Sequence, residues 1–362
     1  MKSQGVMDID LHGVTLRFLD VHPADVRLVQ RQLPGVAPHV GVVDPDVVVA
    51  FVDALDMHGE VHRIGDDLVD DKGVVLVRPG HGRTARARVP LGGGDGVVVC
   101  ERHVREVPLL LTLVRMAALA KGLLALHAVA FTHRGIGVAA TGWSGSGKTA
   151  LLLAMLAGRA QPVAAEWVLV SQDGSRLLGL PQAVRLKPSH VDRCAELARL
   201  TRAVGGTRGR LLASLRPMVA RVAPPVKARF DRALQVDVPL HRFETGARGA
   251  EVTGRLPTAS FDVLVLLEDA EVGEPTVERV GAGFATERIA VGLEHDLAEF
   301  HAARRVLHYS SARSGEHSLG ATDAANRRLL ARHLASRPVF LLRHRQPTSF
   351  ATLRAAVEQA IS

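Results

Sequence analysis

Along residues 1–100 the hydrophobic positions come in short β-branched runs separated by turn formers. VTLRFLDV (Val14–Val21) alternates apolar and polar in places, and the runs VGVVDPDVVVAFVDAL and GVVLVRPG are punctuated by Asp, Pro and Gly. This pattern predicts a small N-terminal α/β domain over 1–100, dominated by strands, with GGGDG (92–96) as a hinge-like turn. The run VPLLLTLVRMAALAKGLLAL (107–126) is the most hydrophobic stretch. Arg115 and Lys121 interrupt it, which predicts a buried amphipathic helix rather than a membrane span.

Downstream the periodicity changes. Two apolar runs, 127–131 and 136–141, flank Thr132-His133-Arg134-Gly135, the pattern of a β-hairpin. The second run enters a glycine-rich stretch, and 148–156 then reads as an Ala/Leu-rich helix with no breaker before Gly158. Extended pieces are expected at 162–165, 167–171, 176–180 and 183–186, with a turn at Asp173-Gly174. Residues 189–235 read as basic and helical. FDVLVLLE (261–268) reads as a continuous apolar strand, helices are expected near 296–311 and 323–336, and VFLLRH (Val339–His344) reads as a last strand. Thr348 is placed to cap a final helix running towards Ala360. Residues 101–362 are thus expected to form a second domain with a basic helical insertion at 189–250.

Composition is that of a folded protein, at 47% hydrophobic and 23% charged residues. Cys100 and Cys194 match no metal or disulfide framework, and MKSQGVMDIDLHG has no apolar signal core, so a reducing cytoplasmic setting is expected. The net charge of +8 is concentrated at 191–250, where twelve Arg and Lys stand against five Asp and Glu. Such a segment is either a solvated helical face or a surface for an anionic partner. Aromatics make up only 4% of the chain and no stacking platform is visible among these charges, which makes nucleic acid a weak candidate.

Gly142-Trp143-Ser144-Gly145-Ser146-Gly147-Lys148-Thr149 matches G-x-x-x-x-G-K-[ST] between an expected strand and an expected helix. A phosphate chain needs several inward-pointing backbone N–H groups, and the turn that offers them needs positive φ at glycines. The helix that follows adds partial positive charge at its N-terminus. Lys148 is expected to reach the β- and γ-phosphates, and the Thr149 hydroxyl to ligate Mg²⁺. The residues expected around a bound nucleotide are Gly142, Ser144, Gly145, Ser146, Gly147, Lys148 and Thr149. Trp143 is expected to pack on the core rather than cover the nucleotide.

LHAVAFTHRGIGVAATGWSGSGKT (126–149) resembles the stretch leading into the P-loop of HPr kinase/phosphorylase and its relatives. VAAEWVLVSQDGSRLLGLPQAVRLKP (163–188) resembles the continuation of that pattern, and the terminal strand and helix resemble it loosely. The resemblance implies a phosphoenolpyruvate-carboxykinase-like P-loop core with a mixed sheet between helices. It also implies ATP with Mg²⁺, and transfer of the γ-phosphoryl group to a hydroxyl of a small molecule or a peptide serine. A second copy of the chain is a further candidate partner.

The chain departs from the family where two acidic residues precede the tryptophan, since it reads Ala164-Ala165-Glu166-Trp167. The resemblance assigns the first acid the role of general base and the second a share of the Mg²⁺. Glu166 keeps the second role, but Ala165 neither takes a proton nor binds a metal. Three readings stay open: a kinase with a substitute base, a nucleotide-binding relative that no longer transfers phosphate, or an engineered replacement at 165. NTP hydrolysis is a further outcome where water reaches the γ-phosphate. His127, at the family's Leu-His position, is the substitute candidate, set against a strand-end histidine bonded to backbone. Arg185 and Lys187 are candidates for phosphate or acceptor, set against exposed structural charges. Arg242 is a candidate for stabilising transferred charge.

Overall fold

The β-branched runs of the first hundred residues form strands in a computed structural model that describes residues 5–38, 41, 43–91, 96–191, 197, 235–245, 255–310 and 319–361. The strands are β1 (Gly5–Leu11), β2 (Val14–Val21), β3 (Val47–Val52), β4 (His62–Ile64), β5 (Asp67–Asp70), β6 (Gly73–Pro79), β7 (Thr84–Val89) and β8 (Val97–Glu101). They build one mixed sheet in the order β1-β2-β3-β8-β7-β6-β5-β4, with β2, β3 and β8 parallel to their neighbours in that series. In β2 the side chains of Val14, Leu16 and Phe18 are buried while Thr15, Arg17 and Leu19 are not, the period of a half-buried strand. Helix α1 (Pro23–Gln32) packs on β2, and α2 (Leu110–Ala120) on β2 and β3.

The expected helix over 107–126 is therefore shorter. It stops at Ala120 because Gly122 takes φ +74°, a conformation that ends helices, and Leu124 already begins the next strand. The expected boundary near residue 100 falls within β8, and contacts divide the chain later, into Met1–Ala125 with Ala290–Arg332 and Leu126–Ile289 with His333–Ser362. Most of the GGGDG turn lies outside the described residues.

The second unit begins with the hairpin β9 (Leu124–His133) and β10 (Ile136–Gly142), turned by Arg134 and Gly135, both at positive φ. Helix α3 (Lys148–Ala157) follows the glycine loop. Then come β11 (Gln161–Ala164), β12 (Trp167–Val170), β13 (Arg176–Gly179), β14 (Ala183–Leu186), the short helix α4 (Pro188–Val191), β15 (Val236–Pro239), the single turn α5 (His241–Thr245), β16 (Thr258–Ser260), β17 (Val263–Asp269), β18 (Thr276–Arg279) and α6 (Ala282–His295). Apart from residues 191, 197 and 235–245, the basic segment at 191–250 lies outside the described residues.

The chain next supplies α7 (Ala298–Ser310) and α8 (Leu319–Leu334). Helix α7 packs on β5 and β6 of the first unit, where Arg78 of β6 bonds both Asp67 and Glu299. Strand β19 (Val339–His344) and helix α9 (Phe350–Ile361) complete the second unit. The main sheet there runs β16-β13-β12-β9-β10-β17-β19-β18, with β11 on β9, so the protein is mixed α/β. Strands β10, β17 and β19 are parallel, and β9 and β18 run against them. Leu151, Leu152 and Met155 of α3 and Leu353 and Val357 of α9 share one apolar cluster with Val138, Val265 and Leu342 of the sheet. Helix α6 and strand β18 are not foreseen in the sequence, because Gly283 and Gly292 dilute the helical pattern and TVER is a short exposed edge. Ser349, not Thr348, caps α9. Its Oγ accepts from the Thr352 N–H at 3.1 Å, while the Thr348 hydroxyl donates to the carbonyl of Arg345 at 2.5 Å. Among the described residues no helix is long and apolar enough to cross a membrane.

Candidate functional site

Parallel strands put their carboxyl ends on one edge, and three of them meet there. Gly142 of β10 pairs with Leu267 of β17, and Asp269 of β17 pairs with His344 of β19. The glycine loop therefore leaves the sheet at the edge where β17 ends in Glu268-Asp269. Such an edge is where ligands of open α/β sheets bind.

Residues 142–149 connect β10 to α3 through two glycines at positive φ, Gly145 at +89° and Gly147 at +95°. A Cβ on Gly142 would collide with the carbonyl oxygen of Leu267, which explains glycine at the start of the loop. The Ser146 N–H donates to the Trp143 carbonyl at 3.0 Å and closes the turn. Lys148 folds back, its Nζ donating to the carbonyl oxygens of Gly142 at 2.6 Å and Trp143 at 3.2 Å. The first N–H groups of α3 have no acceptor within the helix and face the loop, as at any helix start. Ser146 is only 4% exposed, and its Oγ has no hydrogen-bond partner. A buried hydroxyl in that state is costly, and a polar ligand at the loop would satisfy it. Ser144, Gly145 and Trp143 are exposed and Thr149 is half-buried at the first turn of α3. The expected packing of Trp143 is not found. At 53% exposure its ring stands off the core, because β10 has ended and the chain has already turned outwards.

His127 and Glu166 come to the same edge. Strand β9 runs against β10, so its amino-terminal half lies beside the end of β10, and the Thr141 hydroxyl donates to the His127 carbonyl at 2.8 Å. Strand β11 pairs Ala164 with Ala130, so the bend at Ala165-Glu166 advances along β9 towards His127. The His127 ring stacks on Trp167, 4.7 Å between centroids and 22° between planes. Glu166 is exposed, whereas Ala165 is buried in the cluster that contains Ala150 and Leu151 of α3. The Trp167 N–H is fixed by the Gln182 side chain at 2.7 Å.

Arg185 and Lys187 are not part of this edge. They sit on and just after β14, which among the described residues pairs with β15 in a separate two-stranded ribbon. Val184 and Leu186 enter the apolar cluster, so alternation turns Arg185 and Lys187 to solvent, where Arg185 meets Asp237 at 3.3 Å. Arg242 lies on α5, a single turn that packs against β11.

Four residues at the edge are absent from the sequence-based set: Asp269, His344, Gln346 and Thr348. The signal for Asp269 is present, since VLVLLED is an apolar strand ending in acids. Its neighbour Glu268 is committed elsewhere. The Arg288 hydrogen bond outweighs burial, and with Arg343 it holds the Glu268 carboxyl below the usual range. Asp269 is exposed, and its Oδ1 accepts the Gln346 N–H at 3.0 Å. No local signal announces His344, whose partner in the loop is 198 residues away. Among the described residues no cluster of three or more His, Cys, Asp or Glu forms a metal centre by itself. The loop hydroxyls and the exposed Glu166 and Asp269 are all oxygen donors, the kind Mg²⁺ takes.

No protein-family model matches the chain, and no curated protein matches it at a significant level.

Proposed function

We propose that the protein binds Mg·ATP in the 142–149 loop and transfers the γ-phosphoryl group to a hydroxyl of a small molecule or a peptide serine, as an HPr-kinase-like P-loop protein. The observation that carries this reading is the loop itself. A strand end, two positive-φ glycines, a lysine and a buried partnerless Ser146 hydroxyl are joined to a helix start, the arrangement that cradles a phosphate chain.

In this reading the Ser146 hydroxyl and the N–H groups at the start of α3 bind phosphate oxygens. Lys148 exchanges its contacts with Gly142 and Trp143 for the β- and γ-phosphates. Thr149, with Glu166 and Asp269, would hold Mg²⁺, which neutralises charge on the phosphate oxygens as the group moves. The acceptor hydroxyl gives up a proton, and Ala165 offers no atom to take it. His127, stacked on Trp167 at this edge, is the side chain proposed for that task.

The experiment is mass spectrometry of a cytosolic metabolite and peptide pool incubated with the protein, Mg²⁺ and ATP, beside Lys148→Ala. An acceptor that gains one phosphoryl group with the wild-type protein alone supports transfer. No labelled acceptor together with intact Mg·ATP binding favours a second reading, a nucleotide-regulated binding module without turnover. The observation behind that second reading is the buried methyl group of Ala165 where the resemblance places an acid. In either case the segment 191–250 is the proposed surface for an anionic partner, and a cytoplasmic setting suits the thiol of Cys100, which burial pushes up to about 12.

A further inference from the structure

Residues 344–348 touch the glycine loop at two successive carbonyl groups. The Nε2–H of His344 donates to the Ser146 carbonyl at 2.9 Å, and the Gln346 side-chain amide donates to the Gly145 carbonyl. Both donors are themselves anchored. His344 is 1% exposed, with Nδ1 at 3.2 Å from the Thr348 hydroxyl. The Gln346 backbone N–H is held by Asp269. The two side chains also lie against Gly147, where a Cβ would come 2.9 Å from His344 Cε1 and 3.5 Å from the Gln346 amide nitrogen.

A trans peptide points its C=O and its N–H in opposite directions. Tying the Gly145 carbonyl to Gln346 turns the Ser146 N–H the other way, and that N–H is found on the Trp143 carbonyl at 3.0 Å. Tying the Ser146 carbonyl to His344 likewise turns the Gly147 N–H away from the His344 ring. The orientation of this peptide is thus imposed from outside the loop, by side chains almost two hundred residues later in the chain. A loop rich in glycine has little stiffness of its own, so an external brace removes conformations that would otherwise have to be given up when an anion binds.

We infer that His344 and Gln346 are positioning residues for the loop: His344 holds the Ser146–Gly147 peptide with its N–H turned to the side on which a phosphate group binds, and Gln346 holds the preceding Gly145–Ser146 peptide in its closed turn. This rests on the nucleotide reading above. Neither side chain takes part in proton or phosphoryl transfer; each acts through the loop backbone.

The test uses the full chain and Mg·ATP as the probe, by calorimetric titration, with hydrogen exchange of residues 142–149 measured without nucleotide. His344→Phe removes the donor, His344→Gln supplies another N–H donor, and Gln346→Met changes an exposed residue that does not endanger folding. One lost hydrogen bond of this kind corresponds to a roughly 3- to 10-fold change in binding. His344→Phe and Gln346→Met should each raise the Kd about 3- to 10-fold and speed exchange in the loop, and His344→Gln should return both towards the wild-type values. If His344→Phe does not fold, Gln346→Met decides alone. Unchanged Kd and exchange in the variants, with Lys148→Ala still abolishing binding, would overturn the positioning role and leave the nucleotide reading standing. A wild-type protein that binds no Mg·ATP removes the nucleotide reading and the inference with it.

Discussion

The imidazole of His127 lies face to face with the indole of Trp167, 4.7 Å apart, at the edge of the sheet where the glycine loop begins. A stack of this kind fixes the plane of the ring. His127→Ala should lower turnover by about 10²- to 10⁴-fold if the ring takes the acceptor proton. His127→Phe keeps the stack and removes the nitrogens, so it should be equally inactive while leaving Trp fluorescence close to wild type. Activity in the Phe variant would reduce His127 to a packing residue.

If the loop binds Mg·ATP as proposed, Lys148→Ala should abolish detectable binding, because it removes the cation that would face the phosphates. Glu166→Gln and Asp269→Asn should preserve the fold and weaken the dependence of binding on Mg²⁺. Titrations with and without the metal read both effects. An Asp269→Asn protein with wild-type metal dependence would leave Glu166 and Thr149 as the metal side of the site.

The two positive-φ glycines of the loop should respond differently to alanine. Gly145 has open space around its Cα, so Gly145→Ala meets only the cost of a left-handed L-residue, about 1–2 kcal/mol. Gly147→Ala adds a collision with the buried His344 ring, and should both cost more stability and disable nucleotide binding. Urea unfolding and Mg·ATP titration of the pair provide the comparison.

Asp70 and Arg88 form a buried ion pair in the first unit. Burial opposes ionisation of Asp70, but hydrogen bonds from Arg88 and from the His58 and Lys72 N–H groups overcome it and hold the carboxyl below its usual range. Glu101 behaves alike through Arg86. A depressed folded-state pKa stabilises the protein above the unfolded value, and that gain is lost as pH falls through the folded value. Stability should therefore drop below about pH 4. Arg88→Met strands the Asp70 charge and should cost about 3–5 kcal/mol at neutral pH. Its destabilisation should shrink in acid, where Asp70 protonates, as thermal melts across pH would reveal.

Ala165→Asp places a carboxyl at a buried position next to α3. The fold should lose stability, since a carboxyl there is partly desolvated. The same desolvation raises its pKa towards that of a useful base. Turnover should rise by up to about 10²- to 10⁴-fold if the missing acid limits the wild-type protein. Phosphate release and acceptor labelling, read beside a melting curve, separate the two effects.

The parts of this architecture that depend on local pattern are legible in the sequence. The hairpin of β9 and β10, the loop with its glycines, α3 and β19 all follow from runs of apolar residues and their breakers. What is not legible is held by distant partners. The end of α2 depends on one glycine that the apolar run conceals, and α6 is stabilised by packing rather than propensity. Trp143 reads as a core residue by its type, yet its backbone has already left the sheet. His344 looks like the last residue of a strand, and only the parallel register of β17 and β19 brings it under the loop.

Helices α7 and α8 belong to the first unit but are encoded after most of the second. On the ribosome, strands β5 and β6 are synthesised roughly 200 residues before the helix that covers them. At about 5–20 residues per second the uncovered strands wait some 10–40 s. A nascent chain released at residue 125 should therefore expose apolar surface and recruit holding chaperones, whereas one extended past residue 332 can close that surface for itself. For this protein the first unit can be completed only after most of the second has been synthesised.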